Sequence, residues 1–88
     1  MPYIPQQNRK PIDIYLDQLI AWMPEISDKT VGDYTYVIYK IMLKAIYSKK
    51  FYKYALIFGA IESAKFELMR RGYTKYEISK LNENGDVE

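Results

Sequence analysis

Two carboxylates in the second half of the chain are candidates for metal-dependent chemistry. Glu62 and Glu67 are five residues apart, and on a helix this spacing separates them by about 140° of rotation. With acidic residues from another helix, Glu62 and Glu67 could hold Mg²⁺ for the hydrolysis of a nucleotide. The alternative is that each carboxylate pairs with a neighbouring lysine or with water. We favour this alternative, since the helices predicted over residues 31–47 and 51–71 do not carry carboxylates spaced three or four residues apart.

The chain contains no cysteine and no histidine. It therefore has no thiol nucleophile, no zinc–thiolate or iron–sulfur site, and no imidazole as a general base near neutral pH. The four glycines are too scattered for a phosphate-binding loop. We therefore predict a protein without catalytic residues, without a metal site and without a cofactor, rather than an enzyme.

A basic–aromatic cluster is the clearest candidate for ligand binding. Lysines can contact phosphates while aromatic rings stack on bases, and two arginines further along the chain could add a phosphate contact. The residues proposed for nucleotide or nucleic-acid binding are Lys49, Lys50, Tyr52, Lys53, Arg70 and Arg71. The alternative is the solvated start of a helix whose aromatic side chains pack inward.

Charge is distributed unevenly along the chain. Residues 1–76 carry twelve basic and seven acidic side chains, a net +5, whereas residues 77–88 carry one basic and four acidic, a net −3. This asymmetry is weaker than that of a dedicated nucleic-acid-binding protein. No apolar run is long enough for a secretory signal or a transmembrane helix, so we expect a cytoplasmic protein without membrane contact.

The N-terminal quarter of the chain predicts an arm followed by a helix. Two prolines and several polar residues indicate an extended arm over residues 1–10. Apolar residues at helical spacing then predict a helix from about Pro11 to Met23, which Pro24 ends. Asp13 and Asp17 would lie near the positive N-terminal end of that helix.

A second helix, from about Val31 to Tyr47, is apolar or aromatic on nearly every side. Thr30 is predicted to cap it, and only Lys40 and Lys44 clearly favour water. A helix of this kind is either central in the fold or contacts another subunit. An 88-residue chain has little material to cover it, so we expect self-association. The tyrosines that could line the interface, or alternatively a pocket or the core, are Tyr34, Tyr36, Tyr39 and Tyr47.

A third helix is predicted from about Phe51 to Arg71, with Gly72 as its C-terminal stop. It carries a row of small residues at intervals of four, which would allow a second helix to approach closely. The members of this row are Ala55, Gly59 and Ser63.

The C-terminal residues predict a short helix and a tail. Thr74 and Glu77 fit a capping box, which indicates a fourth helix from about Lys75 to Leu81. Residues 82–88 form a flexible acidic tail in this interpretation. The fold is therefore predicted to be a single all-α domain over residues 1–88, a small three-to-four-helix bundle with helix 2 at its centre.

Several segments, in their order and spacing, resemble a family of small, uncharacterised, phage-encoded proteins. The segments that carry the resemblance are Pro2-Tyr3-Ile4-Pro5 with Arg9, residues 32–37, residues 59–67 with Arg70-Arg71, and residues 83–87. The resemblance implies a phage or prophage gene product in a host cytoplasm and brings no functional residues with it.

We therefore expect a non-enzymatic phage accessory protein that acts through protein–protein contacts as a homo-oligomer. The partner beyond a second copy would be a host or phage protein. The alternative function is the binding of nucleic acid or of a nucleotide, for example sequestering a signalling nucleotide, through the basic–aromatic cluster.

Overall fold

The computed structural model describes residues 2–87, whose regular elements are all helices, with no strand among them. The all-α class is therefore confirmed. The elements are α1 (Gln6–Trp22), α2 (Val31–Ala45), α3 (Phe51–Leu68), a π-helical turn (Met69–Tyr73) and α4 (Thr74–Asn84).

The described residues divide into two compact units. The first is Tyr3–Ile57 and contains α1, α2 and the first residues of α3. The second consists of residues 58–87 together with Pro2. The single domain stays a prediction.

Helix α1 begins at Gln6, five residues before the predicted start at Pro11. The prediction of an extended arm over residues 1–10 was therefore wrong for its second half. The first turn forms because the Asn8 amide donates to the Pro5 carbonyl at 2.9 Å, and Arg9 Nε donates to the Ile4 carbonyl at 2.7 Å. Pro11 lies inside the helix, where it removes one backbone hydrogen bond without ending the element.

The end of α1 confirms the stop predicted from proline. Met23 follows the last helical residue with φ −85° and ψ 130°, the extended conformation that a following proline requires. The earlier start also changes the role of two acids, since Asp13 and Asp17 lie beyond the first turn and no acidic residue occupies that turn. Interaction with the helix dipole, which fades within one turn, therefore does not account for them.

Side-chain hydrogen bonds organise the connection between α1 and α2. Thr30 precedes α2 as predicted, but its hydroxyl makes no capping hydrogen bond. Instead, Thr30 Oγ1 donates to the Glu25 carbonyl at 3.1 Å and accepts from the Ser27 amide at 2.8 Å. The Tyr34 hydroxyl donates to the Pro24 carbonyl at 2.6 Å. The first turn of α2 is thus tied back to the end of α1.

The helical path continues past the predicted stop at Gly72. Gly72 lies in the π-helical turn, and the only glycine among residues 2–87 with positive φ is Gly85, at 88°. The Gly85 amide donates to the Leu81 carbonyl at 2.8 Å and ends α4. Thr74 is the first residue of α4, and the residue at its N-cap is Tyr73, which makes no side-chain capping hydrogen bond, so the predicted capping box is not observed. Helix α4 reaches Asn84 and leaves a shorter tail than predicted.

No residue between 2 and 87 is buried. The central, covered position expected for α2 is therefore not observed, and only some of its side chains are half-buried. Within either unit, no two α-helices approach with their backbones as closely as in a bundle, so the predicted bundle is not confirmed. The half-buried apolar and aromatic side chains are Met23, Tyr34, Val37, Met42, Ile46, Tyr54, Ile57 and Ile61.

Candidate functional site

A surface groove lies between α1 and α2 in the first unit. It has a volume of about 440 Å³. One side chain comes from α1 and five come from α2, where they recur every three or four residues and so share one face. The lining residues are Leu19, Tyr36, Val37, Lys40, Ile41 and Lys44.

The floor of this α1–α2 groove is apolar. Val37 is half-buried, while Leu19 is 38% exposed and Ile41 52% exposed. Val37 and Ile41 are one helical turn apart, so their side chains form a continuous strip. Exposed apolar area of this kind is stabilised when a partner removes it from water.

Two lysines form the edge of the groove. Lys40 and Lys44 are four residues apart, which places their Cα atoms about 6 Å apart along the helix. The Lys40 Nζ lies 5.7 Å from the centroid of the Tyr36 ring, and the Lys44 Nζ lies 5.6 Å from that of Tyr47. The ion pairs found within residues 2–87 involve other lysines and an arginine. The groove therefore presents two positive charges beside an apolar floor.

The tyrosines predicted at an interface differ in their surroundings. Tyr34 is half-buried, and its hydroxyl donates a hydrogen bond to the Pro24 carbonyl. Tyr36, Tyr39 and Tyr47 are 63%, 59% and 84% exposed. Of the four, Tyr36 lines the groove. Their role in an interface stays a prediction.

The small-residue row on α3 has nothing packed against its glycine. Ala55, Gly59 and Ser63 are all exposed, and a Cβ built on Gly59 would meet no atom within 4 Å. Ala55 belongs to the first unit and the other two to the second. The close helix crossing that this spacing indicates is not formed at Gly59 within the second unit.

The basic–aromatic cluster is divided between the two units. Lys49, Lys50, Tyr52 and Lys53 belong to the first unit, whereas Arg70 and Arg71 belong to the second. Lys49 has a positive φ of 53° and its amide donates to the Ile46 carbonyl at 2.7 Å, which forms the turn before α3. The Lys53 Nζ lies 5.7 Å from the Tyr52 ring centroid.

Both candidate metal-binding carboxylates are paired with basic residues three positions later. Glu67 accepts from Arg70 through both carboxylate oxygens, at 2.5 and 3.1 Å. Glu62 lies 3.8 Å from the Lys65 ammonium. Within residues 2–87, no group of three or more acidic residues could hold a metal ion. Sequence reasoning assigned Arg70 to a phosphate and missed this pair, although Glu and Arg at i,i+3 indicated it.

A second, shallower groove lies along α4 and the residues that follow it. Its volume is about 360 Å³, and Ile78 and Leu81 provide apolar side chains that are 53% and 44% exposed. The neighbouring Tyr73 hydroxyl forms a hydrogen bond with Glu77, and this bond, followed by the carboxylate charge, raises the pKa of Tyr73. Glu77 and Asp86 line this groove together with Lys80, whereas the charged side chains that line the α1–α2 groove are Lys40 and Lys44.

None of the helices within residues 2–87 combines the length and the apolar character needed to cross a bilayer.

A family model described as a domain of unknown function, DUF6899, matches residues 1–87. Neither the curated proteins nor the solved structures provide a match. The resemblance to a family of uncharacterised proteins is confirmed by the family match. Because that match spans nearly the whole chain, the protein belongs to the DUF6899 family.

Proposed function

We propose that the protein acts by binding protein chains, first a second copy of itself, and performs no chemistry of its own. The observation that supports this proposal is the absence of any buried residue between positions 2 and 87, together with many large apolar side chains at the surface. Exposed apolar patches of this extent are typical of interaction surfaces.

Exposed apolar side chains within the first unit support an interface there. Leu19, Tyr36 and Ile41 are 38%, 63% and 52% exposed, and removing such apolar area from water is stabilising. Self-association would therefore supply burial that these side chains lack.

The proposed setting is that of a phage or prophage accessory protein in the host cytoplasm. The support is the sequence resemblance to small phage-encoded proteins. After self-association, a host or phage protein would be the further partner. A protein that acts by contact needs surface chemistry alone, which agrees with a sequence that has neither cysteine nor histidine.

The test is the mass of the protein in solution. Light scattering after size-exclusion chromatography, repeated by native mass spectrometry over a range of concentrations, should give at least twice the 10.5 kDa chain mass. A monomer at the highest concentration would overturn the proposal.

Two tyrosine variants provide a matched comparison. Tyr36 and Tyr76 are 63% and 57% exposed, and each ring has a lysine ammonium within 6 Å. Tyr36→Ser should weaken self-association because Tyr36 lines the α1–α2 groove. Tyr76→Ser should leave the solution mass unchanged. Equal effects would show that loss of a surface tyrosine, rather than this surface, is responsible.

The second candidate function is binding of a nucleotide or of single-stranded nucleic acid by the lysines before α3. It is favoured by Phe51, which is 88% exposed, beside the exposed ring of Tyr52. Lys49 and Lys50 are exposed next to these rings. Aromatic surface beside lysines can stack a base and contact its phosphate.

Fluorescence anisotropy with a labelled oligonucleotide tests this second function. Binding should weaken steeply between roughly 50 and 200 mM salt because counterions are released from the phosphates. A double variant with Lys49→Ala and Lys50→Ala should lose it, while Lys29→Ala and Lys75→Ala should retain it. Absence of salt-sensitive binding, also with a labelled mononucleotide, would remove this candidate.

A further inference from the structure

We propose that α1 of one copy lies along the α1–α2 groove of a second copy, with Asp13 and Asp17 against Lys40 and Lys44 of the partner. This inference rests on the proposed self-association and assigns the surfaces that form it.

The groove requires a partner with an apolar strip and negative charge. Its floor is Val37 and Ile41, and its edge carries the Lys40 and Lys44 ammonium groups. If an uncharged apolar helix docked here, the Lys40 and Lys44 ammonium groups would lose contact with water and gain no negative charge in return, which is costly. Carboxylates on the docking helix would offset this cost and fix its register.

Helix α1 has both features. Its apolar residues share one face and are 38–75% exposed, so they are available to a partner. The residues of this strip are Ile12, Tyr15, Leu16, Leu19 and Ile20. Asp13 and Asp17 follow members of the strip by one residue, so they flank it on one side.

The spacings of the two charged pairs agree. Asp13 and Asp17 are four residues apart, as are Lys40 and Lys44, so both pairs span about 6 Å along their helices. None of these four residues takes part in the ion pairs found within residues 2–87. Two unpaired acids and two unpaired lysines at equal spacing can neutralise each other between copies.

Twofold symmetry allows the contact to form twice. In a symmetric dimer, a contact from α1 to the partner's α2 implies the same contact in the opposite direction. The dimer would therefore contain four acid–lysine pairs around a shared apolar core. Direct pairing of α2 with the partner's α2 is disfavoured, because Lys40 and Lys44 would meet the same lysines.

The test reverses one charged pair at a time. In the basic variant, Asp13 and Asp17 are replaced by lysine; in the acidic variant, Lys40 and Lys44 are replaced by glutamate. Each variant alone carries like charges on both surfaces, so its self-association should weaken by at least about 100-fold. Mixing the two variants places opposite charges on both contacts and should restore a dimer that contains one copy of each, which native mass spectrometry identifies by mass.

A control variant with Glu25→Lys and Asp28→Lys makes the same charge change outside α1 and α2 and should remain a dimer. Helical circular dichroism shows whether each variant folds. If the wild type is a monomer, the proposed function fails. If the wild type associates but both reversals still self-associate, or if the mixture forms no heterodimer, this inference is overturned and self-association stands.

Discussion

Arg70 donates two hydrogen bonds to the Glu67 carboxylate, from Nη2 to Oε1 at 2.5 Å and from Nε to Oε2 at 3.1 Å. The Glu67 side chain is only 13% exposed, whereas that of Arg70 is 62% exposed. A bidentate ion pair to a partly covered carboxylate is stronger than an ordinary surface ion pair. The pair also links the last turn of α3 to the π-helical turn that follows it.

Replacing Glu67 with glutamine should therefore lower the free energy of unfolding by about 0.5–1 kcal/mol. The matched variant is Glu62→Gln, because the Glu62 and Lys65 side chains are both largely exposed and their 3.8 Å contact should contribute little. Chemical denaturation followed by circular dichroism measures both. Equal stability of the two variants would contradict the special role of the Glu67 pair.

A second prediction concerns the Tyr34 hydroxyl, which donates to the Pro24 carbonyl at 2.6 Å. Tyr34→Phe removes the donor while keeping the ring, so it should cost about 1 kcal/mol of stability. Tyr39→Phe removes an exposed hydroxyl on the same helix and serves as the control. Thermal unfolding should show a lower midpoint for Tyr34→Phe alone, and an equal shift in Tyr39→Phe would argue against the Tyr34 hydrogen bond.

Several elements of the fold could be predicted from the sequence because they depend on local sterics. Pro24 ends α1 since a proline restricts the residue before it. The start of α1 could not be predicted in the same way, because Pro11 is compatible with either a first-turn or an interior position. The interior position follows from contacts of Pro5 and Arg9 upstream. The end of α1 could therefore be predicted from the sequence. Its start could not, because it depends on hydrogen bonds to the Ile4 and Pro5 carbonyls that no apolar spacing reveals.

The candidate site was less predictable because it depends on the placement of two helices. From the sequence, Lys40 and Lys44 could be predicted only to face water. Asp13 and Asp17 were predicted to lie near the start of the first helix, but α1 begins further upstream, at Gln6. Leu19 of α1 beside Ile41 of α2 creates the groove, and nothing in the spacing of either helix specifies that pairing.

The two C-terminal glycines provide a third, paired prediction. Gly85 follows the last residue of α4 with φ 88° and ψ 152°, a conformation essentially restricted to glycine, so Gly85→Ala should strain the backbone and fray the end of that helix, at a cost of about 1–3 kcal/mol. Gly72 has no positive φ and its built Cβ meets nothing within 4 Å. Gly72→Ala should therefore stabilise the turn by about 0.4–1 kcal/mol through a less flexible unfolded chain.

Amide hydrogen exchange of residues 69–84, with denaturation of each variant, checks both changes. A destabilised Gly72→Ala variant would show that the π-helical turn needs glycine. An unchanged Gly85→Ala variant would show that Gly85 does not determine where α4 ends.

The final prediction concerns the pH response of Tyr73. Its pKa is raised above the ordinary 10.0, first by the hydrogen bond with Glu77 and then by the negative charge of that residue. Because the folded state favours the protonated phenol, this contact stabilises the fold below the unfolded-state pKa. The contribution is lost as pH rises through the folded-state pKa.

Glu77→Gln removes the charge and should bring the Tyr73 pKa back toward 10.0. NMR titration of ¹³C-labelled tyrosine follows it, with Lys75→Gln as the control. An unchanged Tyr73 pKa in Glu77→Gln would mean that another group sets it.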